Sequence, residues 1–312
     1  MSNIKLHIEP NQTPLTWDEF VKTKPANSIA LDGYVYGATK FTTTKEGSYA
    51  NFNHHEEVDR LSTRATCAQV LIAVRQGLLE AFRVEGDVII NVYVNDCDQD
   101  VCLSWFILNN FTLCVQTTNP AINRLVHIED MMDTCSGAYP FDMDSIMLRM
   151  VAWIFEPYTN FRMSGGVERK NAQEFEMVID NVSHRISQHI LGHSDVVKIN
   201  TSYILIGGGK NWSMVIESGF SARTAMMANG IKAFVSVRQR HDGNYTYSVG
   251  KLSSYIPFDI PGILKSLDTL EQNDNDHWGG SNTIGGSPRV FGSKLSPKEI
   301  ESAINNYIEH HE

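Results

Sequence analysis

The sequence predicts an α/β fold: a mostly parallel sheet with helices on both faces in the N-terminal part, followed by a smaller mixed α/β domain. Three observations lead there. Short β-rich runs alternate with helical periodicities through the first half, as in βα units. The run VIINVYV (Val88 to Val94) is apolar without alternation, the pattern of a strand covered on both faces. From about residue 200 the pattern changes to closely spaced strands, with His241-Asp242-Gly243-Asn244 as a hairpin turn between two of them. A length of 312 residues suits two domains at ~150 residues each. The division expected is 1–158 for the first domain, 159–199 for a linker and bridging helix, and 200–312 for the second.

Taken in order, Ser28 to Leu31 reads as a strand ending at Asp32, and a short extended run then reaches Asn53-His54-His55. A helix is expected from Ser62, because Cys67, Leu71, Val74, Leu78 and Phe82 recur at spacings of four, three, four and four. The strand Val88 to Val94 ends at Asp96, Asp98 and Asp100, and VCLSWFIL follows as a helix. RLVHI (Arg124 to Ile128) reads as a third such strand, ending at Glu129, Asp130 and Asp133. A helix over Asp142 to Glu156 carries an apolar stripe and should stop at Pro157, leaving residues 158–170 as a loop broken at Gly165-Gly166. The next helix spans about Ala172 to Leu191, with Gly192 as its C-cap. In the second half SYILIGGG, FVSVRQR and NYTYSVG are strands. The last helix opens on a capping box, Ser296 to Glu299, with Pro297 at its first position.

Composition excludes several classes. Hydrophobic residues at 42% and charged residues at 20% are ordinary globular usage, so disorder and fibrous repeats are out. No apolar run approaches the ~18 residues of a membrane helix. A net charge of −10 disfavours a long duplex-binding surface, which needs phosphate neutralisation. A small phosphorylated ligand in a local pocket remains compatible, since bound cations invert the local field. The opening segment MSNIKLHIEPNQ lacks an apolar h-region, and the five cysteines include no C-x-x-C pair. Both features lead us to expect a reducing compartment, the cytoplasm.

Three clusters then stand at the ends of expected strands: Asn53-His54-His55, Asp96-Cys97-Asp98-Gln99-Asp100, and Glu129-Asp130 to Asp133. Ligands of open α/β sheets bind outside the carboxyl ends of the strands. Convergence there would mix imidazole with carboxylate, a donor set suited to Mn²⁺, Fe²⁺ or Zn²⁺ more than to Ca²⁺. Each cluster also has a plain reading. Asp-x-Asp is common in solvated turns, a His-His pair finds ordinary partners, and Asp130 and Asp133 could cap the helix near Asp144. Asp32-Gly33 is either a further ligand position or a simple turn. Cys97 and Cys102 read as small core residues.

These residues also carry a resemblance. Asn53-His54-His55 followed by Ser62-Thr63-Arg64-Ala65-Thr66-Cys67-Ala68-Gln69-Val70 resembles the signature region of the DHH phosphoesterase superfamily. Asp96-Cys97-Asp98-Gln99-Asp100 with Ser104 is similar to its Asp-x-Asp motif, and Asp133-Thr134-Cys135-Ser136-Gly137 to its Asp-Thr-Gly element. The part from 200 on resembles the associated substrate-binding domain, with the glycine-rich run Trp278 to Ser287 ahead of the closing helix. The similarity touches about 28–140 and 200–310 through short motifs. Three departures stand out. Asn53 replaces the usual Asp, the His-His cluster precedes the Asp-x-Asp cluster, and Ser281 and Asn282 stand where a His usually follows the glycines.

The resemblance implies one or two ions of Mn²⁺ (or Mg²⁺) held among Asp32, His54, His55, Asp96, Asp98 and Asp133. It assigns catalysis to His54, His55 and Asp98, with activated water as nucleophile and a metal-free histidine as acid. It assigns substrate binding to Arg64, Gly279, Gly280, Ser281, Asn282, Gly285, Gly286 and Arg289. The substrate implied is a short oligonucleotide, a cyclic dinucleotide or a similar small phosphodiester or phosphoanhydride. No membrane or long duplex nucleic acid is expected as a partner, and a homodimer is left open. The competing expectation is a nucleotide-binding or sequestering protein on a degenerate form of the same fold.

Overall fold

The computed structural model describes residues 2–60, 62–273, 276–288 and 291–311. The fold is α/β with two mixed sheets, and the chain forms two compact units. One comprises 1–134 and 146–198, the other 135–145 and 199–312.

The first unit runs β1 (Ser2–Ile8), α1 (Trp17–Thr23), β2 (Ser28–Leu31), β3 (Lys40–Thr43), β4 (Ser48–Phe52), α2 (Thr66–Arg75), β5 (Arg83–Val84), β6 (Asp87–Val94), α3 (Gln99–Asn109), α4 (Phe111–Cys114), α5 (Pro120–Thr134), α6 (Ile146–Met163) and α7 (Ala172–Ile190). Its sheet has the order β1-β6-β2-β4-β3, with β5 paired to β6. The three central pairings (β1–β6, β6–β2 and β2–β4) are parallel, while β3 and β5 fold back antiparallel. The register aligns Ala30 with Tyr93 and Leu31 with Phe52. Three parallel strands therefore end together, and the segments that follow them leave from one edge.

Both faces of this sheet are covered. Side chains alternate along a strand, and Ala30, Tyr49 and Tyr93 pack with Phe20 of α1, Tyr34 and Val35. The Phe20 ring meets Tyr34, Tyr49 and Tyr93 edge-on, with centroids 6.0 to 6.3 Å apart. On the opposite face Ile29, Leu31, Ile90 and Val92 are fully buried. There α2 packs against β4, and α3 and α7 against β1.

The second unit contains β7 (Tyr203–Gly209), β8 (Trp212–Glu217), α8 (Ala222–Ala228), β9 (Ala233–Gln239), β10 (Tyr245–Lys251), α9 (Ile260–Glu271), β11 (Gly279–Gly280), β12 (Ile284–Gly286) and α10 (Pro297–His311). The sheet order is β11-β12-β10-β9-β8-β7, and only β8–β9 is parallel, joined through α8. Met214, Val235 and Val249 pack with Ile263 and Leu267 of α9 and with Ile300 and Ile304 of α10. Ser296 and Glu299 form the expected capping box of α10. Ala138, from the 135–145 segment, is buried with Val215, Met226, Met227 and Phe234.

Four expectations are corrected. Arg124 to Ile128 is not a strand but the middle of α5. A five-residue apolar run fits either period, and here Ile122, Leu125, Val126, Ile128 and Glu129 turn inward at helical spacing. Pro157 does not end α6, which continues to Met163. Ile154, Phe155 and Tyr158 are buried on either side of it, so packing holds the helix through the lost hydrogen bond. Helix α6 also begins at Ile146 rather than Asp142. The 159–199 stretch holds the end of α6 and all of α7, which pack on each other and on α3 within the first unit. Of the Gly165-Gly166 break, Gly166 is required by contact: a Cβ there would lie 2.2 Å from the Phe161 ring. Among the described residues no helix is long and apolar enough to cross a membrane.

Two outcomes are expected. Phe20→Ala removes the ring on which three tyrosines converge and should cost about 3–5 kcal/mol in denaturant unfolding. Glu9 accepts from Lys24 Nζ at 3.0 Å and from the Tyr34 hydroxyl. Burial works to raise its carboxyl, but Tyr34 and Lys24 outweigh this and hold it below the ordinary 4.5. The stability it adds is present above its unfolded value and is lost as pH falls through the folded one. Unfolding free energy measured below about pH 4.5 should therefore fall more steeply in the parent than in Glu9→Gln.

Candidate metal centre

The common end of β2, β4 and β6 collects Asp32, His54, Asp96, Asp98 and Asp100. Asp32 follows β2 in the left-handed region at φ 49°, and Gly33 continues the turn at φ 82°. Gly33 also leaves room for a neighbour, because a Cβ there would lie 3.3 Å from His55 Cδ2. After β4, Asn53 shapes the next turn. Its Oδ1 accepts from the backbone N–H of His54 (2.8 Å) and of His55 (3.1 Å). Its Nδ2 donates to the carbonyls of Val35 and Gly37 and to Glu56. An aspartate could make the first pair of bonds but not the second. Asn53 is thus the residue this turn requires, and it is committed to backbone.

Helix α2 ties the cluster together. Its N-cap, Ala65, has no side chain able to accept from the free N–H groups of the first turn. Acceptors arrive from elsewhere. Asp100 takes Thr66 N–H at 2.7 Å and Cys67 N–H at 2.6 Å. Asp130 of α5 takes Ala65 N–H at 2.7 Å and Arg64 at 3.0 Å. Thr66 Oγ1 donates to Asp32 at 3.0 Å. The positive end of the helix dipole attracts these carboxylates.

Around this frame His54 is fully buried, and its Nε2 lies 2.7 Å from Asp133 Oδ2, 3.4 Å from Asp32 Oδ1 and 3.8 Å from Asp100 Oδ2. His55 Nε2 lies 3.0 Å from Asp32 Oδ1. Two sets of donor atoms fall within ligand reach of each other: Asp32, His54 and His55, and His54, Asp100 and Asp133. Yet both ring nitrogens of His54 and Asp133 Oδ2 have no hydrogen-bond partner. Leaving such buried groups unpaired costs about 1–3 kcal/mol each. Donors bound at ~2.1 Å to one ion stand ~3 Å apart at right angles. The observed spacings suit that arrangement, so the residues present fit a divalent cation.

The electrostatics agree. Burial raises the carboxyls of Asp96, Asp98, Asp100 and Glu129, and Asp32 or Asp133 beside them raises them further, Asp100 to about 7. Burial would lower His54, but Asp133 and Asp32 lift it to about 11. Burial likewise works to raise Asp32, yet His55 and His54 hold it well below the ordinary range. The same crowding of acids that raises the carboxyls holds a proton on His54.

The residues expected from the sequence are distributed as follows. Asp32, His54, His55 and Asp133 come together in the ligand sets, joined by Asp100. Asp133 gets there from the last turn of a helix and not from a strand end. Asp98 Oδ1 caps α3 by accepting from Val101 N–H, and Asp96 Oδ1 accepts from Cys97 N–H. Both lie outside the ligand sets. Arg64, half-exposed, is paired with Asp130. Gly279, Gly280, Gly285 and Gly286 lie in the second unit, in the β11–β12 hairpin. There Gly280 and Gly285 cross so closely that a Cβ on Gly280 would meet Gly285 Cα at 2.2 Å. Ser281 closes the hairpin, its Oγ accepting from Thr283 and Ile284 N–H, and Asn282 donates to Ser254. Arg289 lies outside the described residues. Sequence reasoning missed Arg60, which contacts His55 Nδ1 at 2.9 Å and the Asp133 carbonyl at 3.2 Å. No pattern marks it. Asp100 had a signal: with Asp98 as N-cap it falls in the first turn of α3, on the side facing α2.

Restoring an aspartate at position 53 should weaken the protein rather than improve it. Asn53→Asp leaves the Val35 carbonyl without its donor and the Gly37 carbonyl with Asn51 Nδ2 alone, and about 1–3 kcal/mol of stability should be lost in denaturant unfolding.

No family model matches the chain, and no curated protein is similar enough to it to match.

Proposed function

We propose that the protein is a divalent-metal-dependent phosphoesterase acting on a small phosphodiester or phosphoanhydride of nucleotide type, with Mn²⁺ (or Mg²⁺) as cofactor. One observation carries this reading: the buried His54 Nε2 lies 2.7 Å from Asp133 Oδ2, 3.4 Å from Asp32 Oδ1 and 3.8 Å from Asp100 Oδ2, so imidazole and carboxylate donors converge on one place. Mixed imidazole and carboxylate donors favour manganese over calcium. The resemblance to the DHH superfamily supports the same chemistry. The cytoplasm is the proposed location, on the odd number of cysteines with no C-x-x-C pair.

When bound, the cation supplies Lewis-acid polarisation of a phosphoryl oxygen and activation of water. The chain supplies the rest. His54, Asp100 and Asp133 would hold the cation, with Asp32 3.4 Å from His54. His55, its side chain one-third exposed, can pass a proton to a leaving oxygen. Arg60, against His55, and Arg64, against Asp130, carry planar donors that can meet phosphate oxygens. The net negative charge favours a small substrate over a long polyanion.

Purified protein should hydrolyse bis-p-nitrophenyl phosphate or a dinucleotide when Mn²⁺ is added, and chelation should stop it. His54→Ala and Asp133→Asn should each lower the rate by ~100-fold or more, the scale of disturbing a ligand set. Tight nucleotide binding with no turnover at any metal concentration would replace this reading with that of a nucleotide-binding protein.

A further inference from the structure

We propose that Arg162 and Lys170 form an anion subsite on the first unit, placed to hold a terminal phosphate monoester of the substrate rather than the phosphate that is cleaved. The proposal deepens the phosphoesterase reading by naming the substrate as a short oligonucleotide with a terminal phosphate, and it rests on that reading for its catalytic meaning.

The packing of three helices brings both residues to the rim of the acid cluster. Helix α5 has 15 residues, a length of ~22 Å, and carries Asp133 to the candidate metal centre in its last turn. Its start therefore lies toward the far edge of the sheet. His189, in the last turn of α7, is beside Ala121 and Arg124 at that start. Helix α7 accordingly begins near the centre and runs away from it. Helix α6 lies antiparallel to α7. At one end Val197, beyond α7, donates to the Arg149 carbonyl of α6 at 3.3 Å. At the other the Phe161 ring of α6 meets Phe175 of α7 edge-on, with centroids 5.8 Å apart. The last turn of α6 and the loop into α7 thus return to the edge where Asp96 and Asp98 follow β6.

Arg162 and Lys170 belong to that return. Arg162 stands one turn beyond Tyr158 on the same face of α6, and Tyr158 is buried. Burial raises the Tyr158 hydroxyl, Asp98 adds to this, and Arg162 opposes it. Burial also raises the Asp96 carboxyl, and Lys170 and Arg162 are the cations close enough to work against it. Both basic side chains are exposed. Arg169, between them in sequence, is engaged with Glu174 at 2.8 Å, but neither Arg162 nor Lys170 has a side-chain ion pair among the described residues. Arg60 and Arg64 differ, since each already contacts a side chain, His55 and Asp130. A phosphate monoester carries a charge of about −1.5 to −2 at pH 7, which two cations match. The guanidinium offers it a planar fork and the ammonium a point charge. Without them Asp96 and Asp98 would repel such a group from this side of the centre.

The test measures binding of the dinucleotide pApA, which ends in a phosphate, and of ApA, which does not, to the full-length protein. Calorimetry in chelator reads binding without turnover. The parent should bind pApA at least ~10-fold more tightly than ApA, and added salt should narrow the gap. The double variant Arg162→Gln, Lys170→Gln should bring the two affinities within about twofold of each other, while Arg169→Gln should keep the parent's ratio. Circular dichroism confirms that each variant folds. Equal affinities in the parent, or a ratio kept in the double variant, overturns the subsite, and hydrolysis of both dinucleotides with Mn²⁺ then leaves the phosphoesterase reading standing. The expected ratio with no hydrolysis of either dinucleotide at any Mn²⁺ concentration does the reverse.

Discussion

The first unit depends on how the N-terminus of α2 is satisfied. A helix that starts at an alanine has unpaired N–H groups, and in a buried position they need acceptors from outside the helix. Asp100 and Asp130 provide them from two other helices. The consequence is structural and chemical at once. The bonds fix α2, α3 and α5 relative to the sheet edge, and they oblige the fold to bury carboxylates beside Asp32 and Asp133. Burying that much negative charge is costly unless something positive accompanies it. The helix dipole, the two imidazoles and Arg60 supply part of the compensation. Burial and mutual repulsion still push the carboxyls of Asp98, Asp100 and Glu129 up.

The same economy of contacts explains the loop after β4. Asn53 might be read as a damaged ligand, yet it donates to two buried carbonyls while accepting from the histidines that follow. The amide directs His54 inward and leaves His55 partly in solvent. Gly33, across the turn from β2, gives the His55 ring its space. A glycine, an asparagine and an arginine, none of them a candidate ligand, thus decide which histidine meets the acids.

Much of the centre was legible because parallel strands mark their own ends. An unbroken apolar run such as Val88 to Val94 stops where the sheet stops, so Asp32, His54 and the Asp96 to Asp100 run could be placed on one edge from pattern alone. Asp133 was assigned to the right neighbourhood for the wrong reason. Five apolar residues cannot separate a strand from a helix, and only burial at Ile122, Leu125 and Ile128 reveals the period. Pro157 misled in a similar way, since a local rule about missing N–H groups yields to packing on both sides. Strand β1 went unread although Ile4, Leu6 and Ile8 alternate along it, and α1 spans only two turns. The Arg60 contacts join residues five and 73 positions apart, and no periodicity records such a pairing.

The route of the chain between its units has a consequence for how the molecule can be taken apart. After α5 the backbone leaves the first unit, contributes Ala138 to the interior of the second, and comes back at α6 before departing finally at residue 199. Three crossings join the units where tandem domains need one. No single proteolytic nick or truncation can release both halves whole: a fragment starting at 199 lacks part of its own interior, and one ending at 198 carries an orphaned excursion. Evolution by fusing or swapping modules would be obstructed at this junction, and the pair is expected to be inherited together.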